Sequence, residues 1–385
     1  MATRIDLEQC LATLGPKFEG RIEALDATDR FAEENYAELK AARIFSAQVP
    51  EELGGGGSSH SAMCAFVRGL ARHCSSTALA LSMHQHLVAA ALVNHRAGKP
   101  GQALLQKVAE TEAVLISTGA NDWLASSGEA RKVDGGYRVS ALKPFTSGSP
   151  AGALFITSVA LDDPVAGAQV LHFPLPASAD GVEYLDDWKT MGMRATGSQT
   201  VRFDNVFVPD EAIAMRRPRG EYPPALNIVL TVALPLIMSA YVGTAEAICS
   251  IARERARGRG MDPVTPLLVG EMENLLTTAQ VVHDDMVRIA NDLEFTPSLD
   301  VANAMLVRKT IVANHVMAAA EKALEVSGAA GFFRKSGIER LLRDAHGAQF
   351  HPLPEKRQQL FTGRLSMGLE PVDAATTQSS VRSAT

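Results

Sequence analysis

The chain is sparing with the residues that build disulfide, metal or nucleic-acid chemistry. Its 385 residues hold four cysteines, Cys10, Cys64, Cys74 and Cys249, and no two of them stand at metal-binding or redox spacing. With no secretory signal at the N-terminus, they read as reduced thiols of a cytoplasmic protein, which excludes a disulfide framework. Positive charge is not in surplus: 37 Lys and Arg face 43 Asp and Glu, a formal charge of −6. Neither nucleic acid nor an anionic membrane is therefore expected as a partner. Long hydrophobic runs are scarce too. Residues 225–242, ALNIVLTVALPLIMSAYV, are apolar enough to resemble a membrane span, but Asn227, Thr231 and Pro235 interrupt them and no comparable second run is evident. The segment reads as a helix buried in a bundle.

What is present is enough apolar residue, 46% of the chain, for a large core, and more length than one typical domain needs. Up to about residue 112 the apolar positions recur at three and four, as in LEQCLATLGPKFEGRIEAL and FAEENYAELKAARIF, which predicts helices. The run Gly54–Gly57 breaks that pattern; with no P-loop lysine after it, it reads as a hinge, and Ser58 or Ser59 can cap the next helix. From 113 to 215 the period changes to two in AVLIST, RKVDGGYRV, ALFITSVAL and QVLHFPLP, with Asp134-Gly135-Gly136 as a hairpin signal. Residues 216–370 return to helical patterning, with Ser298 as a start signal, and the polar residues 371–385 read as a disordered tail. The fold class expected is α+β: a helical N-terminal domain, a β-barrel-like middle domain and a C-terminal four-helix bundle. The stretch MGMRATGSQTVRFDNVFVP, residues 191–209, stands out at the end of the β region as a glycine-hinged, hydroxyl-rich loop leading into an edge strand that ends in proline.

Three motifs in this order resemble the acyl-CoA dehydrogenase superfamily. VPEELGGGG is similar to its VPEE-GG turn; DWKTMGMRATGSQTVRFDNVFVP to its W-x-x-x-G-M-R-x-T-x-S loop and V-F-V-P strand; and GAAGFFRKSGIERLLRD to its glycine turn and L-x-R-D helix. The matches extend from about residue 30 to about residue 365. The resemblance implies a flavin between the middle domain and the C-terminal bundle. Trp188 would stack on the ring or plug the core; Arg194, Thr196 and Ser198 would line the loop beside it, with Thr196 and Ser198 as donors to flavin or substrate oxygens.

The chain departs from the dehydrogenases where their chemistry needs a base. Removing an α-proton from an acyl thioester requires a carboxylate over the substrate. In most of the family a glutamate stands nine residues after the arginine of L-x-R-D, a position held here by Pro352; other members carry it on the buried helix, where TVALPL offers no acid. His351 stands next to the empty position, as it does in the superfamily's flavin-dependent monooxygenases. KPFTSG, residues 143–148, and ISTGANDW, residues 116–123, resemble that branch as well. The resemblance thus implies catalytic roles for His351, Ser147 and Asn121, a flavin contact at Thr118, and an imidazole able to donate or shuttle protons near neutral pH. His346 with His351 does not make a metal site, since no acid or cysteine completes one.

For the cofactor, FAD is implied by the arginines around Arg253 and by the glycine turn containing Gly328 and Gly331, which in the family reaches a neighbouring subunit; the missing F-G pair leaves FMN, supplied reduced, as the alternative. His84 and His86 lie on a helix expected to face the flavin and are read either as substrate contacts or as interior histidines. Leu230, Leu234 and Met238 are expected to line an apolar substrate cavity. Two activities stay open: a two-component monooxygenase fed by a flavin reductase and acting on a small molecule, and an acyl-thioester dehydrogenase with a substituted base, passing electrons to an electron-transfer flavoprotein. A scaffold without turnover is a remote third. A homotetramer, or at least a dimer, is implied by the subunit-bridging glycine turn.

Overall fold

The computed structural model describes residues 5–119, 122, 124–258 and 262–372. Helices come first: α1 (Leu7–Thr28), α2 (Glu33–Ala41), α3 (His60–Ala71), α4 (Ser75–Arg96) and α5 (Gln102–Thr111). Their starts follow from local chemistry. The Asp6 side chain accepts from Gln9 N at 2.9 Å to begin α1, and Ser59, one of the two expected caps, accepts from Ala62 N at 3.1 Å to begin α3.

The middle of the chain forms one eight-stranded sheet. Its strands are β1 (Leu115–Ser117), β2 (Glu129–Val133), β3 (Gly136–Lys143), β4 (Leu154–Asp163), β5 (Gly167–Pro176), β6 (Val182–Tyr184), β7 (Val201–Pro209) and β8 (Met215–Pro218), in the order β6-β7-β3-β2-β4-β5-β8 with β1 beside β4. Val133 pairs with Gly136 across the Asp134-Gly135 turn, the hairpin that the sequence signals. β7 is not the edge strand expected from its pattern. β6 pairs with it over Val201–Phe203, and only its distal part is open on one side.

Helices return as α6 (Ala225–Arg257), α7 (Val264–Ala290), α8 (Leu299–Ser327), α9 (Ile338–Ala345) and α10 (Glu355–Ser366). Ser298 caps α8 by accepting from Val301 N at 3.2 Å. The apolar α6 is the axis of the molecule and packs against α3, α4, α7, α8 and α9. Leu230, Leu234, Leu236, Ile237, Met238 and Tyr241 are all buried on it, at about 1.5–3 kcal/mol of burial for each large apolar side chain. α4 is also long and apolar enough to cross a membrane, against the expectation of a single such run, and both helices are mostly buried inside the protein. α4 also packs on the short turn Arg194–Thr196, so one helix links the central helix to the loop that the sequence singles out.

Candidate functional site

Two loops of the sheet domain meet side by side. Residues 144–149 follow β3, and residues 194–199 precede β7. Gly148 N donates to Thr196 O at 2.8 Å, and both the amide and the hydroxyl of Thr146 donate to Gln199 O. Their hydroxyls form a chain: Ser147 Oγ lies 2.7 Å from Ser198 Oγ, which lies 2.6 Å from Thr196 Oγ1. Met193 O then accepts from Thr196 Oγ1 at 2.9 Å and from Trp188 Nε1 at 3.2 Å. Four of the residues expected at a flavin are thus joined in one network. Thr118, in contrast, donates its hydroxyl to Thr157 Oγ1 at 2.8 Å and is buried. Asn121 lies outside the described residues; its neighbour Asp122 is held by the buried Lys143, whose Nζ donates to Asp122 Oδ2 at 2.5 Å and to Ser158 O at 2.6 Å.

Next to these hydroxyls Phe145 is 53% exposed on a left-handed backbone (φ 61°), edge-on to the half-buried Trp188 with ring centroids 6.1 Å apart. A large aromatic side chain kept at the surface in a conformation that non-glycine residues avoid is a cost that a bound flat ring offsets. The uncharged hydroxyls of Ser147 and Ser198 suit ring oxygens and nitrogens, so this face fits a flavin.

The C-terminal bundle clamps the same loop. Asp344, 2% exposed, accepts from Met193 N at 2.6 Å, while Arg343 donates to Met191 O at 2.7 Å and to Asp26 of α1 at 2.6 Å. Gly192 is required by this approach, because a Cβ there would lie 2.4 Å from Arg343 O. The L-x-R-D motif therefore joins all three parts of the fold at the signature loop.

His351 follows α9 and is half-buried. Its Nε2 lies 2.7 Å from the Oη of Tyr241 on α6, with the rings edge-on at 5.3 Å. Burial, then the charge of Lys309 and then His86, pushes its pKa down to about 3. The imidazole is neutral at physiological pH. His86 belongs to the same electrostatic neighbourhood; its Nδ1 meets Ser82 O at 3.2 Å, and burial lowers its pKa to about 4. Lys309 is buried on α8 and donates to Leu353 O at 3.2 Å, with burial lowering its pKa to about 8. Pro352 follows His351 directly, and residues 231–236 of α6 carry no acid.

Several expected site residues are engaged elsewhere. His84 has no nitrogen left for a substrate: Leu115 N donates to its Nδ1 at 2.9 Å and its Nε2 meets Phe45 O at 2.8 Å, so it ties α4 to the sheet. Arg194 points back at the end of α1, with Asp26 O at 3.1 Å and Asp29 Oδ1 at 3.4 Å, and ties the signature loop to that helix. Arg253 Nε donates to Glu273 at 2.7 Å. Gly328 ends α8 with φ 59°, and Gly331 is buried behind it; the adjoining Phe332 and Phe333 are exposed. Leu230, Leu234 and Met238 share one face of α6 but are at most 4% exposed. Sequence reasoning missed Tyr241, Phe145, Lys309 and the Asp344 clamp. Tyr241 was legible in one respect: on a helix it shares the face of Leu230, Leu234 and Met238.

Helices on either side of a sheet, with a neutral, hydroxyl-lined and aromatic-flanked face between them, fit a flavoprotein oxidoreductase. The family models for the acyl-CoA dehydrogenase N-terminal and C-terminal domains match residues 14–112 and 236–355. The amino sugar nitrososynthase DnmZ of Streptomyces peucetius is 30% identical over 327 residues, 80% of each chain. A dibenzothiophene monooxygenase of Mycolicibacterium goodii is 26% identical over 87% of each, and dehydrogenases are among the relatives too, such as the putative acyl-CoA dehydrogenase YdbM of Bacillus subtilis at 25%. KijD3 in complex with FMN and a dTDP-amino-keto sugar superposes with a TM-score of 0.87 at 22% identity, covering 97% of this chain and 96% of that one. The chain belongs to the acyl-CoA dehydrogenase family.

Proposed function

We propose that the protein is a two-component flavin-dependent monooxygenase, taking reduced FMN or FAD from a separate flavin reductase and oxygenating a small molecule. The observation that carries this reading is the pairing of two empty carboxylate positions with a neutral His351 held by Tyr241. An acyl-thioester dehydrogenase needs an anionic acceptor for the α-proton; an imidazole depressed to about 3 and a proline do not supply one. Reduced flavin, when bound, supplies the electrons that activate dioxygen. The residues of this chain would do the rest: Phe145 and Trp188 flank the ring, Ser147 and Ser198 meet its polar edge, and His351 presents an uncharged imidazole to the reacting side. Asn121 and Thr118 are assigned to the same pocket by their motif, and His86 to the substrate side.

For the substrate, the reading favours an uncharged or weakly basic molecule with an oxidisable nitrogen or sulfur. A nitrososynthase for amino sugars and a dibenzothiophene monooxygenase are among the relatives, and the apolar face of Leu230, Leu234 and Met238 suits a hydrophobic body. The exposed Phe332 and Phe333 beside the glycine turn support burial against another copy, so a cytoplasmic homotetramer is part of the proposal. The test is anaerobic addition of acyl-CoA thioesters of graded chain length to the flavin-loaded protein. The flavin should stay oxidised; bleaching by any of them would restore the dehydrogenase reading, with electrons passing to an electron-transfer flavoprotein.

A further inference from the structure

We propose that Tyr241 is a positioning residue that fixes the proton of His351 on Nδ1, so that the imidazole meets the reacting side as a hydrogen-bond donor. The inference rests on the monooxygenase reading for its role in the reaction, but its structural content stands on a count of protons and acceptors.

Tyr241 is 1% exposed, in the middle of α6, and its Oη has one hydrogen-bond partner among the described residues, His351 Nε2 at 2.7 Å. A phenol brings one proton, and a neutral imidazole brings one that can sit on either nitrogen. Were Nε2 protonated, it would donate to Oη and strand the phenolic proton in the core with no acceptor, at the cost of a buried unsatisfied donor. With Nε2 bare, the phenol donates to it and nothing is stranded. The imidazole proton then sits on Nδ1, which has no partner among the described protein atoms. Burial holds the phenol proton in place, since it pushes the Tyr241 pKa well above its ordinary value. The geometry is enforced from a second side. Gly347 packs beside the phenol, and a Cβ there would lie 2.7 Å from Tyr241 Oη, so any larger residue at 347 would push the hydroxyl from its place. The consequence is a division of labour. Where the family's dehydrogenases present an acceptor, this chain presents an N–H whose direction is set from the core.

The experiment is nitrogen NMR on the full-length protein labelled at histidine, with the His351 signals identified by their loss in H351N. The wild type should show a protonated Nδ1 and an Nε2 accepting a hydrogen bond. Y241F should move the tautomer ratio toward Nε2–H by about fivefold, the population ratio that one net hydrogen bond sets, and G347A should shift it the same way while keeping both side chains. A wild type protonated on Nε2, or a Y241F spectrum unchanged from wild type, overturns the proposal. A kinetic arm connects it to the reaction: Y241F should lower turnover about fivefold with reduced-FMN affinity unchanged, and should cost nothing further in an H351N background. A loss that adds to that of H351N shows that Tyr241 acts elsewhere and overturns it. If the wild type oxygenates nothing at all, the monooxygenase reading fails by itself, and the NMR result still decides the tautomer.

Discussion

Lowering the pH should destabilise this protein through its buried histidines, and His60 offers a clean way to show why. His60, His84 and His86 are each at most 5% exposed, and burial depresses each of them from 6.5 to about 4. A histidine that stays neutral in the folded state but takes up a proton when unfolded stabilises the fold above its unfolded pKa. That stability drains away as the pH falls from 6.5 toward 4. At about pH 5 the loss is about 2 kcal/mol per histidine, or about 6 kcal/mol for the three, against a total stability on the order of 5–15 kcal/mol. The depressed carboxylates, such as Glu246 and Asp284, start from ordinary values of 4.5 and 3.8 and contribute only lower down. Both ring nitrogens of His60 lack a hydrogen-bond partner among the described residues, so H60L breaks no hydrogen bond. It should be at least as stable as wild type at about pH 8 and more stable by about 2 kcal/mol at about pH 5, read from denaturant unfolding at the two values. Parallel pH dependences for the two proteins would refute the reasoning. With it would go the argument that burial keeps His86 and His351 uncharged at the candidate site.

Three more outcomes are expected. D344A leaves Met193 N buried without an acceptor and should cost about 2–3 kcal/mol and weaken FMN binding by at least tenfold, while D344N, which keeps the acceptor, should stay close to wild type; flavin titration of the two variants checks this. Lys309 is depressed from 10.5 to about 8, so the wild type should gain stability as pH rises through that window while the unfolded chain still holds the proton; in K309M that rise should be absent, as denaturation at about pH 8 and about pH 10.5 will show. H351N should lower turnover by about a hundredfold while leaving reduced-flavin affinity within about a factor of two, measured by steady-state kinetics and flavin titration.

The order of helices, sheet and helices was legible in the sequence because the apolar period changes twice, and Ser59, Ser298 and Asp134-Gly135 act locally through backbone chemistry that does not depend on the rest of the fold. β6 was not legible: at three residues it has no period to detect, and so the pattern of β7 reads as an edge. α4 does not read as a long apolar run because His84, Gln85 and His86 dilute its pattern. At the site, the motif spacing brought Ser147, Thr196, Ser198 and Trp188 together, since loops flanking paired strands are held by sheet register. Arg194 could not be judged the same way, because its partners Asp26 and Asp29 lie at the far end of α1, and no pattern in the signature loop reveals them. Tyr241 was concealed by a continuous apolar run, in which a phenol reads as core until its hydroxyl is seen to have one partner.

The most direct test of the central claim is stopped-flow mixing of the protein, loaded with reduced FMN under anaerobic conditions, with aerated buffer. The account predicts that oxidised-flavin absorbance returns after a clear lag, longer in wild type than in H351N. Reappearance as fast as for free flavin, with no difference between the two proteins, would contradict it.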